Sequence, residues 1–149
     1  MTLRWLIATL HLLTLPLGLG AIWARSRALG LAKTVEDLRR VFVADNLWAL
    51  AAVLWLGTGL LRAFAGLEKG ASYYLHDRVF YIKMGLFVTI LILEIWPMVT
   101  LIRWRISVRR GAPVDLTSAT TLARFSQIQL GLVVVMVFAA TALARGLFY

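Results

Sequence analysis

Four long apolar runs, separated by short polar segments, dominate the pattern of the chain. They hold 20, 21, 24 and 20 residues and are Trp5–Ala24, Val41–Leu61, Val79–Ile102 and Phe125–Ala144. A bilayer core of roughly 30 Å requires about 20 apolar residues in a helix. No alternating strand pattern is present, and only helices or closed barrels can cross lipid. The pattern therefore predicts an all-α, four-helix transmembrane bundle with up-down-up-down topology.

The composition supports one membrane domain over residues 1–149. The chain is 61% hydrophobic with a mean hydropathy of +0.83, whereas a soluble domain is about 45–50% apolar. The first apolar run exceeds the length typical of a signal peptide, so we expect it to be retained as a span. The absence of cysteine excludes disulfides and thiolate metal sites.

The net charge of +9 arises mainly from basic residues at the ends of the spans, which argues against a nucleic-acid partner. Loops one and three together hold ten, and the opposite side holds five. This asymmetry predicts a multi-pass protein of the cell's inner (plasma) membrane, with loops one and three cytoplasmic and both termini outside. The ten are Arg25, Arg27, Lys33, Arg39, Arg40, Arg103, Arg105, Arg109, Arg110 and Arg124, and the five are Arg4, Arg62, Lys69, Arg78 and Arg145.

Ionisable groups within a bilayer are costly and often mark function. Four fall inside the predicted spans, and their depths define two polar layers. The outer layer consists of the imidazole of His11 and the amine of Lys83, which lie at similar depth. The inner layer consists of the Asp45 carboxylate at the depth of Gln127 and Gln129, and the Glu94 carboxylate lies nearer the middle.

The spacing on the third span predicts the direction of two charges. Lys83 and Glu94 are 11 residues apart, which is about 20° past three helical turns. Both should lie on one stripe with Phe87 and Ile90, facing the bundle interior or a cavity. Their separation of roughly 16 Å excludes a direct salt bridge.

Structural roles are open for each of these groups. Lys83 can extend to the outer headgroups, and His11 can hydrogen-bond a neighbouring carbonyl. Asp45 can pair with a cytoplasmic arginine such as Arg103 or Arg124.

Glu94 can be a neutral, hydrogen-bonded structural residue. The chain's other histidine, His76, lies beside Tyr73 and Tyr74 in an outer loop, where an interfacial role is favoured over a ligand role.

The functional hypothesis is a haem- or porphyrin-binding redox protein. A histidine inside a four-helix bundle is a common axial ligand of haem, so His11 is the candidate iron ligand and haem b the candidate cofactor. Arg62 and Lys83 could hold its propionates, and Glu94 and Asp45 could relay a proton. If the protein is an enzyme, Lys83 and Glu94 are the candidate catalytic residues, but the sequence by itself specifies no reaction.

Two other functions remain open. The first is a non-catalytic accessory or scaffold subunit, whose partners would be the bilayer and other membrane subunits or further copies of the chain. Its support is the short tails, the small loops and the apolar, aromatic-rich faces. The second and weaker alternative is a carrier of a small solute or an ion.

Several short stretches resemble a family of small bacterial predicted membrane proteins whose function is unassigned. The resemblance covers nearly the whole chain and implies four helices but no activity. The stretches are Leu10-His11-Leu12, Asp45-Asn46-Leu47-Trp48, Thr58-Gly59-Leu60-Leu61-Arg62, Glu68-Lys69-Gly70, Tyr73-Tyr74, Phe80-Tyr81-Ile82-Lys83 and Ala144-Arg145-Gly146.

A more distant similarity rests on two positions. The small four-helix protoporphyrinogen oxidase of bacteria also has a histidine early in helix one and a lysine early in helix three, which match His11 and Lys83. That resemblance implies haem ligation by His11 and a requirement for Lys83. The copper-resistance D-type membrane domain is similar in outline. This chain lacks the aromatic- and histidine-rich surround expected of the oxidase.

Overall fold

In the computed structural model, residues 2–65 and 78–145 are described, and they form four α-helices without a strand. The helices are α1 (Thr2–Leu31), α2 (Leu38–Phe64), α3 (Arg78–Arg109) and α4 (Ala119–Arg145). Each is long and apolar enough to cross a bilayer. The predicted all-α, four-span fold is confirmed. Lys69, Tyr73, Tyr74 and His76 lie outside the described residues.

The helices extend beyond the predicted spans at one end of the bundle. α1 continues to Leu31 and α3 to Arg109, whereas the apolar runs end at Ala24 and Ile102. At 1.5 Å per residue, the 32 residues of α3 span about 48 Å, more than the hydrocarbon core. Hydropathy marks where lipid ends and not where a helix ends, so residues after an apolar run can still belong to the bundle. We call this the basic end of the bundle; it contains the α1–α2 and α3–α4 connections.

A capping interaction holds the turn before α2. The Oδ2 atom of Asp37 accepts hydrogen bonds from the Thr34 N–H at 3.0 Å and the Lys33 N–H at 2.9 Å. This is one half of a capping box, in which the side chain at position N3 accepts a hydrogen bond from the backbone N–H of the N-cap residue. Residues 35–37 form a turn, and regular helix begins at Leu38.

A Schellman motif ends α3. The Ala112 N–H donates to the Ser107 carbonyl at 2.9 Å, and the Gly111 N–H donates to the Val108 carbonyl at 3.1 Å. Gly111 has a φ of 64°, the left-handed conformation that this motif requires and that glycine adopts without steric cost. The chain then returns through a short loop to α4, which begins at Ala119.

Close packing joins α1 to α2, α1 to α4, and α3 to α4. Among the described residues, α2 and α3 do not pack closely along their lengths, so they are the two edge helices of the arrangement. Two large apolar clusters fill the interior, one at the basic end around Leu29, Leu101 and Leu122 and one near the middle around Ile22, Trp48 and Val133. A third, smaller cluster contains Val79 and Phe80 at the start of α3. Because lipid tails are as apolar as these side chains, such contacts stabilise by close packing more than by water exclusion.

Candidate functional site

A charged cluster lies between the two large apolar clusters, and its centre is Arg25. The residue belongs to α1, on the same helix face as the buried Ile22 and Leu29, and its side chain has 0% exposure. The prediction that Arg25 is a loop residue is therefore wrong. The helix continues past the apolar run, and the guanidinium is directed between the other three helices.

All five N–H donors of the Arg25 guanidinium are used. Nη1 donates to Asp45 Oδ1 at 2.9 Å and to Glu94 Oε1 at 2.6 Å, and Nη2 donates to Glu94 Oε2 at 2.8 Å and to Gln129 Oε1 at 2.9 Å. Nε donates to Ser126 Oγ at 3.1 Å. One side chain of α1 thus binds α2, α3 and α4 at once. A guanidinium offers five donors in a fixed fork, so this geometry saturates it.

Gln129 completes the cluster from α4. Its Nε2 donates to Glu94 Oε2 at 2.7 Å and to the Ile90 carbonyl at 3.3 Å, while its Oε1 accepts from Arg25. Gln129 is fully buried, whereas Gln127, which the sequence analysis grouped with it, is exposed. Two residues along a helix correspond to about 200°, so the two amides point in nearly opposite directions.

A second arginine links α3 to α2. Arg105 donates from Nη2 to Asp45 Oδ2 at 2.7 Å and to the Phe42 carbonyl at 3.2 Å, and from Nη1 to Asn46 Oδ1 at 2.7 Å. Its guanidinium carbon also lies 4.9 Å from the centre of the Phe42 ring. Asp45 therefore has one arginine on each carboxylate oxygen. The expectation that Asp45 pairs with an arginine of the predicted cytoplasmic loops is confirmed, but the partners are Arg25 and Arg105 and not the two examples, Arg103 and Arg124.

The cluster is balanced in charge. Two arginines face two carboxylates, Asp45 and Glu94, so the group has no net charge when all four are ionised. Neutrality and the saturated hydrogen bonding of Arg25 lower the cost of burying these charges, whereas the buried Nε of Arg105 has no hydrogen-bond partner among the described residues. The carboxylate side chains are 16% and 19% exposed, so they lie at the edge of the cluster while Arg25 is fully enclosed.

The predicted stripe on α3 is confirmed at its inner end. Ile90 is buried, Phe87 is half-buried, and Glu94 faces the interior. Lys83 is also half-buried. The direction of Glu94 therefore agrees with the prediction from helical spacing, whereas its partner Arg25 was not predicted. The available signal was a charge imbalance, since two intramembrane carboxylates, Asp45 and Glu94, had only Lys83 as an intramembrane cation.

A smaller polar site lies toward the opposite end, around His11. Its Nδ1 is 2.8 Å from Thr58 Oγ1, and the Thr58 hydroxyl donates to the Leu54 carbonyl at 2.6 Å. The imidazole ring centre is 6.1 Å from that of Trp55, and the ring also approaches Gly59. Since the hydroxyl proton is engaged with Leu54, Thr58 Oγ1 accepts from Nδ1–H. His11 is half-buried, and it joins α1 to α2.

Arg62 lies one helical turn beyond Thr58 and is also half-buried. The described part of the chain holds no group of three or more histidine, aspartate or glutamate side chains that could enclose a metal ion.

A family model described as "Predicted membrane protein (DUF2214)" matches residues 3–147 of the chain. The chain belongs to this family. No curated protein and no solved structure matches it. Membership in the DUF2214 family agrees with the four spans, and the chain is a multi-pass integral membrane protein in contact with the lipid bilayer.

Proposed function

We propose that this member of the DUF2214 family binds haem b in the membrane, with His11 as the axial ligand, and acts as a haem- or porphyrin-dependent redox protein. The observation that carries the proposal is the hydrogen bond from His11 Nδ1 to Thr58. In the neutral form of an imidazole that donates its Nδ1–H, Nε2 is the nitrogen that can bind iron. Histidines that ligate metals usually donate their other N–H to an acceptor in this way.

The side chains at the end of the bundle that contains His11 would suit haem b. One histidine in a helical bundle is a sufficient protein ligand for haem iron, and two half-buried cations, Arg62 and Lys83, would neutralise its propionates. Bound haem b would supply one-electron chemistry. The distant resemblance of His11 and Lys83 to positions in the four-helix protoporphyrinogen oxidase supports the same assignment.

The Arg25 cluster supports separate roles for its own carboxylates and for the His11 site. Glu94 is held by Arg25 and Gln129 through three hydrogen bonds, which fix its carboxylate between α1 and α4. This favours a structural role for Glu94 and Asp45 over the proton relay considered from the sequence. The relay, and catalysis by Lys83 and Glu94, stay predictions.

The test is the absorption spectrum of the purified protein after reconstitution with hemin. We expect a Soret band that disappears in His11→Ala and persists in His76→Ala, the matched change at the chain's other histidine. Thr58→Val should weaken haem binding about 10- to 100-fold, because it removes the acceptor that orients the ligand. Thr58→Ser should restore binding. A wild-type protein that remains colourless, or equal spectra for the two histidine variants, would contradict the proposal.

A second candidate function, an accessory or scaffold subunit, is favoured by the saturation of Arg25. A single fully bonded guanidinium that joins four helices stabilises one fixed arrangement, and many large apolar side chains remain exposed on the outer faces. Such a rigid apolar exterior suits packing against other membrane subunits. Purification from native membranes as a colourless complex with a stoichiometric partner would support this function instead of haem binding.

A further inference from the structure

A groove of about 700 Å³ lies between the start of α2 and the end of α3, at the basic end of the bundle. Its lining includes Glu36, Arg39, Phe42, Val43, Asn46 and Val108. Sites for small molecules commonly have volumes of roughly 300–1,000 Å³. The groove is therefore large enough for a molecular ligand.

The groove lies on the side of the bundle where the two edge helices, α2 and α3, adjoin without close packing. Its wall includes Asn46 and Phe42, the residues through which Arg105 of α3 reaches α2. A molecule in this groove would contact both edge helices beside their polar link. It would supply some of the packing that α2 and α3 do not make with each other.

The walls change character along the groove. Glu36 and Arg39 precede the apolar run that starts at Val41, so they lie at the headgroup level. Val43 lies within the run and is 54% exposed. The Arg39 side chain is exposed, and it has no hydrogen-bond or ion-pair partner among the described residues. A ligand that fits both parts needs a polar head and a hydrocarbon tail.

The charge around the groove favours a ligand with a negatively charged headgroup. At the basic end, the described residues include eight exposed arginines and lysines against the acidic residues Glu36, Asp37 and Asp115. The eight are Arg27, Lys33, Arg39, Arg40, Arg103, Arg109, Arg110 and Arg124. Clusters of this kind beside membrane helices attract anionic lipid headgroups.

We infer that this groove binds one anionic phospholipid. Its phosphate contacts the Arg39 guanidinium, and an acyl chain lies along Phe42, Val43 and Val108. The lipid spans the gap between α2 and α3 and stabilises this side of the bundle. A soluble anion would leave the apolar wall uncovered, and a zwitterionic lipid would lack the excess negative charge that the basic end attracts.

The test compares dioleoyl phosphatidylglycerol with dioleoyl phosphatidylcholine, each titrated into detergent-purified protein. Native mass spectrometry measures the bound lipid, and thermal unfolding measures the stabilisation. We expect preferential retention of phosphatidylglycerol and a higher melting temperature with it. Arg39→Gln should weaken its binding about fivefold, from the loss of one interfacial cation. Arg39→Lys should retain most of the affinity.

Arg124→Gln is the matched control, because Arg124 is an exposed arginine at the same end but lies outside the groove lining. An equal loss of affinity in Arg39→Gln and Arg124→Gln would reduce the effect to general surface charge and overturn the site. Equal stabilisation by phosphatidylcholine, or by soluble glycerol phosphate, would also overturn it. These outcomes are independent of haem, because no haem is added in this experiment.

Discussion

Arg25 and Glu94 face each other inside the bundle through two parallel hydrogen bonds, 2.6 Å from Nη1 to Oε1 and 2.8 Å from Nη2 to Oε2. They lie on α1 and α3, which do not form one of the close-packed helix pairs of the bundle. This bidentate pair therefore joins helices across the interior. Paired planar groups of this kind give both strength and defined orientation.

Replacement of Arg25 should destabilise the bundle strongly. Arg25→Gln leaves Glu94 without its cation and Asp45 with Arg105 alone, and breaking a buried ion pair typically costs about 3–5 kcal/mol. The free energy of unfolding in bicelles, measured by detergent titration, checks this. Arg27→Gln is the control, since Arg27 is an exposed arginine two residues further along α1. Similar stability of the two variants would exclude a central role for the cluster.

A matched pair of glutamines isolates the contribution of α4. Gln129→Leu removes three hydrogen bonds and leaves polar groups of Arg25 and Glu94 unsatisfied, so we expect a loss of about 1–3 kcal/mol in unfolding free energy. Gln127→Leu changes an exposed amide on the same helix and should leave stability unchanged or slightly increased. The same unfolding assay applies to both. A larger loss for Gln127→Leu would mean that α4 is rotated relative to the arrangement described above.

Local sequence patterns were sufficient to predict the four spans and the direction of Glu94. Hydropathy found all four spans, because the cost of exposing polar backbone in lipid leaves few alternatives. Helical spacing gave the direction of Glu94, because Lys83 and Glu94 lie 11 residues apart on one regular helix. Both predictions depend only on local periodicity.

Arg25 could not be placed by the same rules. An arginine after an apolar run is normally counted as a loop residue that sets topology. Its burial depends on Asp45 and Glu94, which are distant in sequence, and on the rotation of three other helices. Likewise, Gln127 and Gln129 are equivalent by composition and depth. Only packing determines which one enters the cluster.

The turn before α2 should respond to acid. Hydrogen bonds from the backbone N–H groups of Lys33 and Thr34 favour the charged form of Asp37 and hold the pKa of this carboxyl below its ordinary value. A lowered folded-state pKa means that the stabilisation is complete above the unfolded pKa of about 3.9 and is lost as pH falls through the folded pKa. The amide resonances of Lys33 and Thr34, followed by NMR, should titrate with a midpoint below about 3.9.

Asp37→Asn is the control for that titration. The asparagine side chain keeps an acceptor oxygen but has no titrating group, so the acid transition of the two amides should disappear. A midpoint at or above the ordinary aspartate value would show that the two N–H groups do not hold the carboxylate.

The orientation in the membrane is a further prediction. It is unchanged when Arg25 and Arg105 are assigned to the interior cluster and left out of the charge count. Eight exposed basic residues remain at the basic end, whereas the described part of the opposite end has Arg4, Arg62, Arg78 and Arg145. Positive charge is retained on the cytoplasmic side, so loops one and three should face the cytoplasm. Because the chain has no cysteine, single-cysteine variants can be labelled without background.

A membrane-impermeant maleimide applied to intact spheroplasts gives the readout. Thr2→Cys should be labelled from outside, and Ala112→Cys should be labelled only after lysis. Both positions are exposed, so a failure to label reflects sidedness rather than burial. Labelling of Ala112→Cys alone in intact spheroplasts would reverse the topology. It would also place the groove between α2 and α3 in the outer leaflet, where an anionic lipid would have to be drawn from that leaflet's own pool.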